Sequence, residues 1–372
     1  MSSSSAKTRY GAGQGRPAKS SIRTMTATPA QPAPEQKKAR HSLVGKAVAE
    51  AIKNGASNVD LALLPRLRDL GPLNITENVL AINSLCPNPR QEFVFDKLVT
   101  HLHDFTREVS LTTEEWMLAI EFLTATGKIC SDIRQEFILL SDILGLSCLV
   151  DSMNHPSMPP ATEGTVLGPF FTQDAADLKA GESIASEGKG EYMWCEGRVL
   201  DTQGNPVPNC TIETWETDDE GLYDTQYEGR TVADCRGRLK SDANGYYSYR
   251  AVLPTPYPIP NDRPVGRLLK TLNRHVFRPA HLHMMLVAEG YETLITALYF
   301  KGDQFLESDA VFGVKSSLVV EPKLVTDETK AKALGFKHGP YWHLKKDYVL
   351  LTLEQADEQK RKSLRNYYSS MK

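Results

Sequence analysis

The sequence predicts a mainly β protein in which an antiparallel β-sandwich domain follows an α-helical N-terminal region. Apolar residues recur with a helical period between residues 41 and 154. From about residue 165, turn signals recur closely between short segments rich in β-branched and aromatic residues. We therefore divide the chain into a disordered tail (1–40), a helical region (41–160), a β-sandwich domain (161–353) and a charged C-terminal tail (354–372).

Composition excludes several classes of protein. The 372 residues suffice for two domains, and 41% hydrophobic residues, 24% charged residues and a net charge of −3 are typical of a soluble protein. We expect no nucleic-acid partner and no membrane span, since no apolar run reaches transmembrane length. The six cysteines are scattered without a CxxC pair, which argues against a structural zinc site. We interpret them as free thiols in the cytoplasm.

The first 40 residues are predicted to be disordered. They are rich in Ser, Ala, Gly and Pro and have few large apolar side chains, so they cannot bury enough surface to fold alone. Their eight basic residues and single acidic residue are also typical of a transit peptide. The glycines and prolines leave no long amphipathic helix, which favours a plain tail, but both interpretations stay open.

Three helices are predicted in the next region. The first covers residues 43–54 and ends at Gly55. The second begins at Thr112, which lies three residues before Glu115 at the spacing of a capping box, and ends at Gly127. The third is the apolar segment 133–153.

The second half of the chain contains the predicted strands. "CTIETW" (210–215), "GYYSYRAVL" (245–253), "TLITALYF" (293–300) and "SSLVV" (316–320) alternate with turns. Asn244-Gly245 predicts a hairpin turn of type I′. "WHLKKDYVLLT" (342–352) is the last predicted strand, and a charged tail follows it.

The tripeptide HLH occurs twice in different contexts. His101 and His103 lie in a segment with helical periodicity, where residues two apart point to nearly opposite sides, so we interpret them as solvated side chains. His281 and His283 lie in a predicted strand, where residues two apart share a face and Leu282 points to the other. The second pair is therefore a candidate for metal binding.

Two tyrosines are candidates to complete such a site. Tyr257 lies in the proline-rich "LPTPYPIP", a stiff loop, and Tyr223 follows the acidic turn "DDEG". The residues alone leave three alternatives open. The first is an iron-dependent enzyme, and the second is a zinc hydrolase that uses His281, His283 and an acid. The third is a non-enzymatic β-sandwich carrier or interaction module in which the histidines are structural.

Four segments together resemble the intradiol ring-cleaving dioxygenases. They are "ATEGTVLGPF" (161–170), "DDEGLYDTQY" (218–227), "LPTPYPIPNDRPVGRLL" (253–269) and "RPAHLH" (278–283). The resemblance covers roughly residues 42–353 and is greatest to the hydroxyquinol 1,2-dioxygenase branch and its fungal relatives. It implies that the β-sandwich is a catalytic domain and that the helical region mediates dimerisation.

The resemblance also implies the site. A non-haem Fe(III) would be held by Tyr223, Tyr257, His281 and His283, and anionic phenolate ligands favour the hard ferric ion. Arg278 would be catalytic beside the reacting ring, together with Tyr257. The substrate pocket would be formed by Leu139, Asp142, Val166, Leu167, Gly168, Pro169, Phe170, Ile259, Pro260 and Val311.

The implied reaction is cleavage of a small aromatic diol or triol by O2. The ring would open between two hydroxyl-bearing carbons, giving a product of the muconate or maleylacetate type. Ala297 occupies a position where the catechol branches carry glutamine, which favours hydroxyquinol (1,2,4-trihydroxybenzene) over catechol, the alternative substrate. The family resemblance further implies a homodimer that can enclose a phospholipid between its N-terminal helices.

Overall fold

The computed structural model describes residues 46–55, 64, 67–131 and 135–370. The predicted tail 1–40 lies outside the described residues. The chain forms two compact units, Met1–Ser110 and Leu111–Lys372. The change from helices to strands occurs later, after residue 154, because several helices pack with the β-sheets of the second unit. The limits predicted for the domains therefore stay predictions.

The first unit contains three helices in its described part: α1 (Lys46–Lys53), α2 (Ile75–Asn83) and α3 (Pro89–Glu108). Helix α3 begins with Pro89 after Asn88, whose side chain accepts hydrogen bonds from the next backbone N–H groups. His101 and His103 both lie on α3, which confirms the helix predicted around them. His101 is exposed, and Nδ1 of His103 lies 2.9 Å from the Thr76 hydroxyl.

The described part of the second unit contains six helices: α4 (Thr113–Lys128), α5 (Glu136–Ile143), α6 (Leu146–Asn154), α7 (Pro264–Thr271), α8 (Glu328–Ala333) and α9 (Leu353–Ser370). The predicted capping box of α4 is confirmed, since the Thr112 and Glu115 side chains bond each other's backbone N–H groups. The single helix predicted over 133–153 is wrong. Gly145, with φ of 72°, adopts a left-handed conformation that ends α5 and starts α6.

The strands form two facing sheets, which confirms the β-sandwich. The strands are β1 (Ala176–Asp177), β2 (Tyr192–Asp201), β3 (Thr211–Glu216), β4 (Arg236–Lys240), β5 (Tyr246–Val252), β6 (Tyr257–Pro258), β7 (Phe277–Arg278), β8 (His281–Val287), β9 (Leu294–Phe300), β10 (Val319–Val320), β11 (Lys323–Val325), β12 (Tyr341–Lys345) and β13 (Tyr348–Leu350). The first sheet has the order β1-β4-β3-β8-β9-β10, and the second has β11-β12-β2-β13 with β5 also paired to β2. Strands β6 and β7 form a separate antiparallel pair.

The sheets are mixed rather than purely antiparallel. The long central pairs β2–β5, β3–β8 and β8–β9 are antiparallel as predicted. However, β12 and β13 pair with β2 in parallel, and the short edge pairs β1–β4 and β9–β10 are also parallel. A parallel pair requires a long crossover connection, and the long stretch of chain between β2 and β12 provides one.

Two local predictions in the β domain are wrong. The last strand is interrupted between β12 and β13, because the Asp347 side chain accepts the hydrogen bond of the Arg198 N–H (2.8 Å) that a neighbouring strand would accept. The turn at Asn244-Gly245 is not of type I′, since only Gly245 has a positive φ. It carries the chain from β4 in one sheet to β5 in the other, so it joins no hairpin.

The two faces of β8 have different environments. Leu282 and Met284 are fully buried between the two sheets, in the main apolar core. His281 and His283 point to the opposite face of the first sheet, as the strand periodicity predicted. A second apolar cluster covers that face and includes side chains from α5, α7 and the segment 166–171. The candidate site lies inside this second cluster.

Candidate metal centre and substrate pocket

Four side chains bring their nitrogen and oxygen atoms together. They are Tyr223, Tyr257, His281 and His283, and none is more than 2% exposed. Nε2 of His281 lies 3.1 Å from Nε2 of His283 and 3.1 Å from the Tyr223 hydroxyl oxygen. The Tyr257 ring lies edge-on to the Tyr223 ring, with ring centroids 5.4 Å apart. Two imidazoles and two phenols thus converge in the interior of the second unit.

These contacts do not form a satisfied hydrogen-bond network. Nδ1 of His281 lies 2.7 Å from the Pro279 carbonyl oxygen, so it carries the proton and leaves a lone pair on Nε2. That lone pair faces three groups at 3.1 Å: the Tyr223 hydroxyl, His283 Nε2 and Arg278 Nη1. One lone pair cannot accept three hydrogen bonds. A cation bound by the converging donor atoms resolves this arrangement, so the residues fit a metal ion.

Burial also prepares the histidines as neutral ligands. Burial, and then the nearby Arg278 charge, lowers the pKa of His281 well below its usual value, and burial with the neighbouring His281 lowers the pKa of His283. Metal ligation requires an unprotonated imidazole nitrogen. Within the described residues, no group of three or more His, Cys, Asp or Glu side chains could hold a metal. The histidines therefore depend on the tyrosines to complete a ligand set.

A turn and a stack hold Tyr223 in place. Gly221 has φ of 74°, and a Cβ there would lie 3.3 Å from both the Pro256 carbonyl oxygen and the Tyr257 Cβ. A glycine therefore lets the turn before Tyr223 approach the backbone of Tyr257. The Phe170 ring stacks on Tyr223, with centroids 4.4 Å apart and an interplanar angle of 19°.

A buried ion pair links Phe170 to the chain beside Tyr223. Arg236 binds the carboxylate of Asp224, the residue after Tyr223, and its Nη1 donates to the Phe170 carbonyl oxygen at 3.0 Å. Both charged side chains are buried. The pair therefore fixes the segment that carries the stacking ring relative to the segment that carries the tyrosine.

Tyr257 lies beside an arginine. Strand β6 pairs with β7 so that Tyr257 is opposite Arg278. Nη1 of Arg278 lies 3.4 Å from the Tyr257 hydroxyl oxygen and 3.1 Å from His281 Nε2. Burial raises the pKa of Tyr257, and the Arg278 charge opposes that rise. A buried cation beside the phenol thus favours its anionic form.

The position of His283 depends on stacking. The Trp215 ring lies parallel to the His283 ring, with centroids 4.7 Å apart and an angle of 8°. Gly168 also lies close to the imidazole, since a Cβ there would be 3.6 Å from both Cε1 and Nε2. Nδ1 of His283 has no hydrogen-bond partner among the described residues. Packing between Trp215 and the 166–170 segment therefore orients this ring.

A cavity of about 540 Å³ adjoins the loops that carry the two tyrosines, since their chain neighbours Leu222 and Pro258 line it. Of the ten residues predicted to form the substrate pocket, Leu139, Pro169, Phe170, Ile259 and Pro260 line it. Val166, Leu167 and Val311 belong to the same apolar cluster as Tyr223 and Tyr257. The cavity is also lined by polar and apolar side chains that the sequence did not predict: Gln135, Glu136, Leu222, Thr225, Gln226 and Asn261.

Asp142 is buried rather than on the helix surface. It is 2% exposed and lies one turn beyond Leu139 on the same face of α5. Burial raises its pKa, while a hydrogen bond with Ser147 and the charge of Arg278 act in the opposite direction. The carboxyl group is thus buried on an otherwise apolar face of α5, bonded to Ser147 and close enough to Arg278 to interact with its charge.

Sequence reasoning missed several residues that support the site. Trp215, Asp224, Arg236 and Asp309 contact a predicted site residue or its neighbour, but each lies in a different segment of the chain. The only sequence signal was the alternation in "TIETW", which could have placed Trp215 on the face of His283 once β3 and β8 were known to pair. For the three charged residues, no local pattern existed.

Two family profiles match the chain. The profile described as "Catechol dioxygenase N terminus" matches residues 88–162, and the profile described as "Dioxygenase" matches residues 166–338. Together they cover part of the helical region, the 166–170 segment and all four converging side chains.

Named relatives cover most of the chain. The intradiol ring-cleavage dioxygenase hqdA of Aspergillus niger is 52% identical over 296 residues, which are 79% of this chain and 89% of that protein. The hydroxyquinol 1,2-dioxygenase of a Rhizobium species is 46% identical over 74% of this chain and 93% of its own length. The solved structure of hydroxyquinol 1,2-dioxygenase from Pseudomonas putida has a TM-score of 0.68 at 44% identity, covering 76% of this chain and 98% of that one.

Proposed function

This chain belongs to the intradiol ring-cleaving dioxygenases, and we propose that it cleaves hydroxyquinol with O2 at a non-haem Fe(III). The product would be a diacid of the muconate or maleylacetate type. The observation that carries the proposal is the convergence of two buried imidazoles and two buried phenols, with the chain neighbours of both phenols lining a cavity. Cleavage of catechol to cis,cis-muconate is the alternative.

Tyr223, Tyr257, His281 and His283 would hold the iron. When bound, Fe(III) would withdraw electron density from a coordinated diol and so make the ring reactive toward O2. Tyr223 is packed against Phe170, and its segment is tied down by Asp224, whereas the Tyr257 hydroxyl contacts the Arg278 guanidinium. Tyr257 is therefore the phenol that contacts the buried arginine directly, and the one suited to exchange protons with a substrate hydroxyl.

Arg278 supplies a fixed positive charge at the reacting face. Its guanidinium is 3% exposed, and one nitrogen points to Tyr257 and His281. A preorganised donor in a site that excludes water stabilises negative charge that develops on the substrate without a cost of reorganisation. The apolar walls at Leu139, Phe170 and Ile259 exclude water from the ring.

Three observations support hydroxyquinol over catechol. Two relatives of 46% and 44% identity are named hydroxyquinol 1,2-dioxygenases. Ala297 lies opposite His283 on the neighbouring strand, so the side chain at this position offers no hydrogen bond to a substrate. Asp142 provides a buried acceptor on α5 that a third hydroxyl could meet. We propose that Asp142 accepts this hydrogen bond.

We also propose a homodimer and a cytoplasmic location. Helix α3 exposes a row of large apolar side chains, and α4 exposes another. Such surfaces are typical of protein–protein contacts. A phospholipid between the helices stays a prediction. Within the described residues, no helix has the length and apolar character that crossing a bilayer requires.

The first test is the colour and metal content of the purified protein. Charge transfer from tyrosinate to Fe(III) colours a protein red-brown, whereas a zinc hydrolase or an empty sandwich is colourless. Stoichiometric iron, a visible band and O2-dependent consumption of hydroxyquinol faster than catechol are expected. A colourless protein that has been supplied with iron would refute the ligand assignment.

The second test assigns the tyrosines. Tyr223→Phe and Tyr257→Phe each delete one phenolic oxygen and keep the ring, so each should change the visible band. Phe170→Leu is a matched control, since it alters packing on Tyr223 but removes no oxygen atom. A tyrosine whose substitution leaves the spectrum unchanged is not a ligand.

A further inference from the structure

We propose that Asp309 is the positioning residue that aims Arg278 at Tyr257 and His281. The inference rests on the function proposed above for Arg278, and it adds a residue from a part of the chain that no sequence motif singled out. Asp309 lies in the connection between β9 and β10, and its side chain is 2% exposed. Its role follows from the number and direction of the hydrogen bonds that its carboxylate accepts.

The carboxylate of Asp309 and the guanidinium of Arg278 form a two-point contact. Nε of Arg278 donates to Oδ1 at 3.0 Å, and Nη2 donates to Oδ2 at 3.3 Å. A guanidinium is planar, so two parallel hydrogen bonds fix both its plane and its rotation in that plane. The third nitrogen, Nη1, then has one direction available to it.

That direction leads to the metal centre. Nη1 lies 3.1 Å from His281 Nε2 and 3.4 Å from the Tyr257 hydroxyl oxygen. A guanidinium released from Asp309 could rotate about its long side chain and withdraw Nη1 from these atoms. The contact with Asp309 thus decides which arginine nitrogen faces the reacting atoms.

Asp309 is itself held by the backbone that follows it. Its Oδ1 accepts a hydrogen bond from the Val311 N–H at 3.2 Å, and its Oδ2 accepts one from the Gly313 N–H at 2.9 Å. The Gly313 carbonyl accepts the Thr165 hydroxyl at 2.7 Å, which joins this turn to the segment before residue 166. The carboxylate therefore has a fixed position from which to orient a partner.

The negative charge of Asp309 also stabilises the buried positive charge of Arg278. An unpaired buried cation is costly, and a cation beside a metal ion is costlier still. Asp309 balances the guanidinium charge while leaving Nη1 free to donate. Asp142 interacts with Arg278 through its charge alone, so among the described residues Asp309 is the acid that both neutralises and orients this arginine.

A double-mutant cycle tests the proposal. Arg278→Gln, Asp309→Asn and the double variant are compared with wild-type holoenzyme in kcat and KM, in the visible band and in the rate of iron release to a chelator. If Asp309 acts through Arg278, Asp309→Asn lowers kcat by roughly tenfold or more, and the double variant lies within about twofold of Arg278→Gln. Both single variants should displace the visible band in the same direction, and the double variant no further.

Additive losses in the double variant would overturn the proposal, since they would mean that Asp309 acts only by building the 309–313 turn. A wild-type band and kcat in Asp309→Asn would overturn it as well. If Asp309→Asn fails to fold, Asp309→Glu is used in its place. It keeps the charge but moves the two oxygens, so kcat should still fall and the band should still shift.

Arg274→Gln is the matched control. Arg274 holds the same turn, because it donates to the Ala310 carbonyl oxygen at 3.0 Å, and it also donates to the Ile143 carbonyl oxygen at 2.7 Å. In the described part of the structure, no hydrogen bond or ion pair joins it to Arg278. Its substitution should lower the melting temperature and leave the visible band unchanged. A band shift equal to that of Asp309→Asn would assign the effect to loosening of the turn.

The two proposals fail in distinguishable ways. A wild-type protein that binds no iron contradicts the proposed function, and a crystal structure of iron-free Asp309→Asn then tests the positioning by itself. Arg278 Nη1 should be displaced from Tyr257 and His281 in that structure. An Arg278 side chain that keeps its wild-type position without Asp309 would overturn the inference even if the enzyme is an active dioxygenase.

Discussion

Replacing Asp142 should change which substrate the enzyme prefers. The carboxyl group is 2% exposed on the face of α5 that also carries Leu139 in the cavity wall. A hydrogen bond from a substrate hydroxyl to a charged group contributes about 1.5–3 kcal/mol. Asp142→Leu should therefore lower kcat/KM for hydroxyquinol roughly 10- to 150-fold. Catechol lacks the third hydroxyl, so its kcat/KM should fall less or rise.

Asp142→Asn is the matched variant for this experiment. It keeps the size of the side chain and an oxygen acceptor but removes the charge. Its kcat/KM for hydroxyquinol should therefore lie between the values of wild type and Asp142→Leu. The assay is the initial rate of O2 consumption with each substrate at several concentrations. A parallel fall of kcat/KM for both substrates would refute the reasoning and leave discrimination to the shape of the pocket.

The same variant has a predictable effect on stability. Burial raises the pKa of Asp142 above its ordinary value of 3.8, so the folded protein retains this proton to a higher pH than the unfolded chain. Such a group contributes fully to the free energy of unfolding below the pKa that it has in the unfolded chain. This contribution is lost as the pH rises through the pKa that the group has in the folded protein. Asp142→Asn should therefore gain stability over wild type at pH 7.5 and lose that gain toward pH 4, as measured by urea midpoints. A gain independent of pH would contradict this explanation.

Further predictions concern metal binding and packing. His281→Ala should lose iron and activity, whereas His101→Ala should keep both, as measured by metal analysis and O2 uptake. If both variants lost iron equally, the distinction between the strand pair and the helix pair of histidines would be contradicted. Gly197→Ala should lower the free energy of unfolding by about 3 kcal/mol, because its Cβ would lie 1.7 Å from a backbone oxygen of the adjacent loop. Gly204→Ala, whose Cβ has open space but whose φ is 84°, should cost only about 1 kcal/mol; equal losses in urea unfolding would show that the close contact relaxes.

Local patterns in the sequence determined the elements that carry the candidate ligands. The alternation around His281 and the helical period around His101 distinguished two identical tripeptides, because side-chain direction follows from the backbone period alone. The capping box of α4 was predictable for the same reason, since Thr112 and Glu115 are three residues apart. Motifs of six to seventeen residues identified the family.

Patterns failed where a distant group decided the local structure. The break between α5 and α6 follows from the left-handed conformation of Gly145, against which the Phe312 ring packs, and the sequence pattern around it is helical on both sides. The split between β12 and β13 depends on Asp347 replacing a strand partner of Arg198. Neither contact leaves a periodic trace in the sequence.

The sequence by itself distinguished His281 and His283 as candidate ligands, because side-chain direction follows from the local backbone period. The resemblance carried by its motifs implied the two tyrosines and the segments of the pocket. Only the tertiary structure decided how these residues are supported. Asp309 lies 31 residues from Arg278 in the sequence, and Asp224 reaches Phe170 only through Arg236. Hydrogen bonds between buried charges depend on the distance between atoms in the folded chain, and no local pattern records that distance.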